Sequence, residues 1–134
     1  MLIHFWGTRG SLPTSIGGKS IRDKIVKALS LASKRTFAND GEIESFVDTE
    51  LAFPIKSSFG GNSSCVQIQT SGDEYIICDM GSGFRELGQQ VLQDHGPGKP
   101  NVFNIFMSHV HWDHIMGFPF FVPAYIPGNV IRIH

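Results

Sequence analysis

The chain is poor in cysteine and in charge, and it has no long uninterrupted apolar run. Cys65 and Cys78 are its only cysteines, so a scaffold held together by several disulfides is excluded. Charged residues make up 17% of the chain and the formal net charge is -1, so the overall charge indicates no polyanion-binding surface. The most apolar stretch, 118–133, is broken by prolines, so no membrane partner is expected. Residues 1–10 lack the basic and long apolar segments of a secretory signal, so a cytoplasmic location is expected.

The two cysteines lie in a predicted β-hairpin with a two-residue turn at Gly72–Asp73. In that register Cys65 faces Met80 and Cys78 faces Gln67. Because the cysteines do not face each other, we expect two buried thiols that pack as small apolar side chains.

The spacing of apolar residues predicts alternating helices and strands. Helical spacing predicts helices over 20–35, 42–51 and 83–94, and Ser20 with Asp23 resembles a capping pair for the first. Apolar runs predict strands at 2–6, 101–107 and 129–133, in addition to the hairpin. We therefore expect a layered α/β or α+β domain with its chemistry on a loop at the carboxyl end of a strand.

The most informative stretch is Met107–His114, "MSHVHWDH", which begins where a predicted strand ends. Side chains alternate along an extended segment, so His109 and His111 would point the same way and approach one ion. If the chain then turns helical, Asp113 and His114 would project beside that pair and serve a second ion. Imidazole and carboxylate ligands favour zinc, with iron, nickel or manganese as alternatives.

An apolar segment, 115–125, follows this motif directly. Such a flank would limit the water near the ions and strengthen their attraction for a bound oxygen. We therefore expect the flank to insulate a metal site.

The six residues "HVHWDH" match the H-x-H-x-D-H signature of the metallo-β-lactamase fold superfamily. Four other segments agree with that family in order, namely "FWGTRGSLPT", "FGGNSSCVQI", "IICDMGSGFRELG" and "IMGFPFFVPAYIPG". Together they resemble the phosphodiesterase-like branch that includes phosphoribosyl cyclic phosphodiesterases and, more distantly, the transfer-RNA 3′-processing endonucleases. The resemblance covers 1–14 and 59–134. We therefore interpret 1–134 as the amino-terminal part of one domain with a helical insertion at about 15–58.

The resemblance implies an α+β fold, the amino-terminal half of an αββα sandwich with two metal ions at one edge of its sheets. It assigns His109 and His111 to the first ion, and Asp113 and His114 to the second. It places Asp79 beneath the metal loop as a hydrogen-bond acceptor, although a turn-capping aspartate before glycines is the alternative. Asp113 would also orient or deprotonate water as the catalytic residue, with a role as ligand alone as the alternative.

The implied activity is metal-dependent hydrolysis of a phosphodiester, in a small molecule or a nucleotide. Two divalent ions, zinc first and manganese or iron as alternatives, would activate a shared water and accept charge on a phosphoryl oxygen. Arg9 is a candidate phosphate contact, although loop arginines more often form surface ion pairs. No serine nucleophile is expected, because none of the serines near glycines lies in a G-x-S-x-G elbow, namely Ser11, Ser63, Ser64 and Ser82.

The motif offers each ion only two ligands, whereas a catalytic zinc ordinarily has about three from the protein. We therefore expect residues outside this chain to complete the site and the 134-residue chain alone to be inactive. Two other interpretations stay open: a non-catalytic binding or assembly fragment, and a lactone or thioester hydrolase of the same superfamily. His4, His95 and His134 match no ligand position. A sheet edge exposed after residue 133 would favour self-association.

Overall fold

A computed structural model describes all of residues 1–134 and divides them into two compact units. The first unit contains 1–14 and 60–134, and the second contains 15–59. The interpretation of the helical segment as an insertion into one larger domain stays a prediction.

The first unit is built on one five-stranded mixed sheet. In spatial as well as chain order, its strands are β1 (Leu2–Gly7), β2 (Cys65–Gln69), β3 (Tyr75–Cys78), β4 (Val102–Phe106) and β5 (Val130–Ile133). β2 is antiparallel to both β1 and β3, whereas β3, β4 and β5 run parallel to one another. Consequently β1, β3, β4 and β5 end at the same edge of the sheet, where β2 begins. We call this edge, with the loops attached to it, the carboxyl edge.

Helices complete the α+β architecture. They are α1 (Gly18–Ala32), α2 (Asp40–Thr49), α3 (Phe53–Lys56), α4 (Gly83–His95) and α5 (Trp112–Ile115), with 3₁₀ turns at Phe118–Phe120 and Val122–Tyr125. No helix has the length and apolar character that crossing a bilayer requires. The sheet and its helices confirm the predicted α+β class, while the αββα sandwich stays a prediction. β5 pairs only with β4, and self-association through its open side also stays a prediction.

The core of the first unit lies between the sheet and α4. The helix buries Phe84, Leu87 and Val91, which share one face because they follow helical spacing, as predicted. The ring of Phe121 stacks on Phe84 with centroids 3.8 Å apart and meets Phe103 edge-on at 5.0 Å. The segment expected to insulate a metal site therefore supplies Phe121 to the core.

The register of the predicted hairpin is wrong by one residue. Val66 pairs with Cys78, and the connection is the longer loop 70–74, in which the hydroxyl of Thr70 accepts a backbone N–H. This side-chain contact stabilises a turn wider than the two-residue type. Cys65 is buried, Cys78 is half-buried, and both are free thiols. Burial raises the pKa of the Cys65 thiol well above its ordinary value.

The predicted cap of α1 is also wrong. The helix begins at Gly18, and its N-cap, Gly17, has an extended backbone with no side-chain cap. Ser20 and Asp23 therefore lie inside the first turns of the helix, where they cannot cap its free N–H groups.

Packing within the second unit is sparse. α1 buries none of its residues, and it lies against α3 through Lys24, which donates to backbone carbonyls there. Phe46 of α2 is buried, and the guanidinium of Arg35 lies 5.6 Å from the centre of its ring. Leu51 is also buried. The unit therefore has a small apolar centre and a largely exposed helical surface.

Candidate metal centre

The topology of the sheet brings distant segments together at the carboxyl edge. Ser11 follows β1, Ser64 precedes β2, Asp79 follows β3, and the motif at 108–114 follows β4. Because the parallel strands end side by side, polar side chains from these loops meet there. The sequence predicts the functional residues on a loop at the carboxyl end of a strand. The histidines of the motif lie on such a loop, directly after β4.

Three imidazoles of the motif form a cluster. The ring centroids of His109 and His111 lie 4.6 Å apart, and those of His109 and His114 lie 4.0 Å apart. The chain turns helical at α5, which carries Asp113 and His114 next to the first two histidines. The structure therefore brings the four predicted ligand residues into one cluster, with Asp113 buried and His109 and His111 exposed.

Asp79 lies beneath this cluster and is hydrogen-bonded to three residues of two other segments. Its Oδ1 accepts from the backbone N–H of Ser108 at 2.9 Å. Its Oδ2 lies 2.8 Å from Nδ1 of His114 and accepts from the hydroxyl of Ser64 at 3.0 Å. The hydroxyl of Ser108 bridges both oxygens and also lies 3.0 Å from Nδ1 of His109. One buried carboxylate thus touches, directly or through one hydroxyl, two of the three histidines.

These contacts decide the charge of Asp79. Burial alone would raise the pKa of this carboxyl, but the hydrogen bonds from the Ser108 N–H, His114 and the two serine hydroxyls outweigh burial and lower it. Asp79 is therefore ionised at neutral pH and can only accept hydrogen bonds. It follows that Nδ1 of His114 carries a proton and donates a hydrogen bond to Asp79.

The remaining nitrogen of His114 faces a second carboxylate. Its Nε2 lies 3.3 Å from Oδ2 of Asp113, and that oxygen also accepts the backbone N–H of Ser11 at 2.9 Å. With Nδ1 protonated, Nε2 carries a lone pair and is a hydrogen-bond acceptor, as is the carboxylate oxygen beside it. Two acceptors repel each other unless a cation binds to both. A proton on Nε2 or a divalent ion satisfies this requirement, and imidazole with carboxylate is a zinc-type donor set.

The types of side chain at the cluster therefore suit a metal ion, but they are too few to form a complete site. No three His, Cys, Asp or Glu side chains in residues 1–134 are arranged to hold one ion. The imidazole of His111 makes no hydrogen bond and meets the ring of His109 edge-on. The cluster thus offers incomplete ligand sets to any bound ion.

Backbone strain is concentrated at the same place. Ser11 and Asp79, with φ of 62° and 63°, are the non-glycine residues in the left-handed region. Each of them contributes a hydrogen bond to the cluster. Such a backbone costs roughly 1 kcal/mol or more and persists where the surroundings impose it, often at functional sites.

Backbone groups pack too closely at the carboxyl edge to admit a side chain at two glycines. A Cβ on Gly81 would lie 2.5 Å from the carbonyl oxygens of Asp113 and Ser64. A Cβ on Gly117 would lie 1.9 Å from the carbonyl oxygen of Gly81. The turn after β3 is therefore locked against both α5 and the loop before β2.

Sequence reasoning missed three serines that contribute to the cluster. The sequence predicts no nucleophile at Ser11 or Ser64 and assigns no role to Ser108. The signal that could have found them is the topology, because each lies in a loop attached to a strand at the carboxyl edge. The predicted insulation of a metal site by the flank stays a prediction; in this chain Phe121 packs in the core and His109 is exposed.

The other candidate residues lie outside the cluster. Arg9 is exposed and makes no ion pair. His4 contacts Gln69, His95 meets the ring of Tyr75 edge-on, and His134 stacks on Phe106. A groove of about 570 Å³ between the sheet and α4 contains none of the motif residues. The histidine cluster is the stronger candidate site, because the groove lacks a comparable set of converging ligand groups.

Comparison with known proteins gives one partial match. The chain is 39% identical over 72 residues to a protein named Ribonuclease Z from Methanococcus aeolicus. The matched segment covers 54% of this chain but only 20% of that protein, so the chain spans about a fifth of its length. No protein-family model matches the chain, and no solved structure matches it. The similarity supports the metallo-β-lactamase superfamily, and no finer branch of it.

Proposed function

We propose that this chain carries part of the active site of a metal-dependent hydrolase that cleaves phosphodiesters. The observation that carries the proposal is the cluster of His109, His111, Asp113 and His114 above the ionised Asp79. His109 with His111 would hold one divalent ion, and Asp113 with His114 a second, with zinc as first choice and manganese or iron as alternatives. Further ligands come from residues that this chain does not supply, so the 134-residue chain alone is inactive.

Two bound cations would supply a hydrolytic nucleophile from water near neutral pH and offset the charge that develops on a phosphoryl oxygen. The chain's own residues prepare for this. Asp79 accepts a hydrogen bond from Nδ1–H of His114, which leaves the lone pair of Nε2 free to bind an ion. The Ser11 N–H holds the carboxylate of Asp113, which binds an ion or orients the attacking water. The relay through Ser108 holds His109 in the corresponding orientation.

The phosphodiester class rests on resemblance. The segments around "GTRGSLPT" and "GGNSSC" resemble the phosphodiesterase side of the superfamily, and the protein with the partial match is named a ribonuclease. The specific branch we propose is that of the phosphoribosyl cyclic phosphodiesterases. A lactone or thioester hydrolase of the same superfamily and a non-catalytic binding fragment are the alternatives.

The metal assignment is tested by elemental analysis of the full-length protein. His111→Ala should lose the first ion and Asp113→Ala the second, while His95→Ala, an imidazole outside the cluster, retains the metal content of the wild type. Equal metal content in all four proteins would contradict the assignment.

The substrate class is tested on the same full-length protein, with zinc or manganese added. A cyclic phosphodiester, an RNA oligonucleotide, a lactone and a thioester are assayed in parallel. Turnover of a phosphodiester that is lost in His111→Ala supports the proposal. Turnover of the lactone or thioester without phosphodiester turnover replaces the substrate class, and metal binding without any turnover favours the binding fragment.

A further inference from the structure

The small net charge of the chain, -1, conceals a strongly basic segment. Residues 19–35 contain six of the 11 Lys and Arg residues but one of the 12 Asp and Glu residues, Asp23. This segment therefore carries a net charge of about +5, and the rest of the chain is acidic. Most of it is α1.

The apolar side chains of α1 are exposed to solvent. Ile21, Ile25 and Leu29 follow one another at four-residue spacing and are 43%, 53% and 64% exposed. They form one stripe along the helix, which we call the aliphatic stripe. The half-buried positions of α1, Lys24, Ala28 and Ala32, run along the flank of this stripe. Packing within the second unit therefore leaves roughly half of the surface of these side chains uncovered.

Most cations of the basic segment are not neutralised. Lys24 donates to two backbone carbonyls, and Arg35 pairs with Glu50. Arg22 has only a loose contact, 3.8 Å, with the exposed Asp23 beside it. The other three lysines make no ion pair, namely Lys19, Lys27 and Lys34. The surface of α1 thus combines free positive charge with exposed aliphatic side chains.

Contrary to the expectation of no membrane partner, which considered only segments that could span a bilayer, we propose that α1 docks on an anionic lipid surface, lying in the plane of the interface. The aliphatic stripe would insert among the acyl chains just below the headgroups, and Lys19 and Arg22 would reach the lipid phosphates with their flexible stems. Lys27, on the opposite face of the helix, would add only longer-range attraction. A basic amphipathic helix that is too short and too polar to span a bilayer fits this mode. RNA fits less well, since phosphate contacts use the cations but gain nothing from exposed Ile and Leu. A second copy fits less well because two basic helices repel each other.

The test is co-sedimentation of the full-length protein with lipid vesicles at about 0.1 M salt, where charges separated by less than about 10 Å still interact. Vesicles of phosphatidylcholine with one third phosphatidylglycerol should bind the protein, and pure phosphatidylcholine vesicles should not. The triple variant Lys19→Gln, Arg22→Gln, Lys27→Gln should lower the partition coefficient by more than about tenfold, at about fivefold for each charge near the surface. The double variant Ile25→Gln, Leu29→Gln should also lower it.

A matched control removes three cations elsewhere, Arg85→Gln, Lys99→Gln and Arg132→Gln, and should keep vesicle binding close to wild type. Because the altered α1 side chains are exposed, circular dichroism should show that all variants keep their helix content. No binding by the wild type, or equal loss in the control, overturns the proposal. So does RNA binding without vesicle binding, or self-association that is lost in the aliphatic double variant. The assay involves neither metal nor turnover, so its outcome is independent of the proposed hydrolase function.

Discussion

The carboxyl edge and the second unit differ in where their polar side chains lie. At the carboxyl edge, Asp79 and Ser63 are buried and hydrogen-bonded, and glycines stand where no Cβ fits. In the second unit nearly all charged side chains are exposed, and Phe46 and Leu51 are the only buried residues. Packing at the edge therefore restricts which residues can occupy each position, whereas the helices of the second unit are restricted mainly by the pattern of their surface. The same type of substitution should thus have very different effects in the two regions.

The largest contrast is expected for glycine to alanine. Gly117→Ala places a Cβ 1.9 Å from the carbonyl oxygen of Gly81, so backbone must move and the free energy of unfolding should fall by about 3 kcal/mol or more. Gly18→Ala at the start of α1 meets no atom within 4 Å and should change that free energy by less than about 0.5 kcal/mol. Urea unfolding followed by circular dichroism measures both. Similar losses in the two variants would show that the close approach at Gly117 relaxes at little cost.

An intermediate contrast is expected for aspartate to asparagine. Asp79→Asn removes the negative charge that accepts hydrogen bonds from Ser108, His114 and Ser64, and should cost about 2 kcal/mol at pH 7 in the presence of a chelator. Asp48→Asn, on the exposed surface of α2, should cost less than about 0.5 kcal/mol.

The pH dependence of that contrast has a definite sign. The pKa of Asp79 is lowered in the folded protein, so its ionised form stabilises the fold fully above the ordinary carboxyl pKa. This stabilisation is lost as the pH falls through the lowered pKa of the folded state. The difference between wild type and Asp79→Asn should therefore shrink towards pH 3 or below. A difference that stays constant from pH 7 to pH 3 would mean that the carboxylate charge is not what stabilises this network.

Local spacing predicted much of the fold, and long-range contacts account for most of what it missed. The helix that carries Phe84, Leu87 and Val91 was predicted within a residue or two, because its apolar period is set by neighbours in sequence. The grouping of the histidines was likewise predicted from the motif. The hairpin register was not, although the contact that widens the turn, from the Gly72 N–H to the Thr70 hydroxyl, is local. Nor was the role of Ser11, whose N–H meets a carboxylate 102 residues away through the sheet topology.

The smallest contrast tests whether one hydroxyl at the carboxyl edge matters. Ser64→Ala removes the O–H that donates to Oδ2 of Asp79 at 3.0 Å, while His114 and Ser108 still donate to that carboxylate. We expect a loss of about 1 kcal/mol in the free energy of unfolding, since a hydrogen bond to a charged group is worth more than a neutral one but the acceptor stays partly satisfied. Ser45→Ala on α2 is the matched control, because its exposed hydroxyl makes no hydrogen bond, and it should be neutral or slightly stabilising. If Ser64→Ala is as neutral as Ser45→Ala, Ser108 and His114 alone satisfy Asp79, and the loop before β2 is held at the carboxyl edge by its backbone rather than by this hydroxyl.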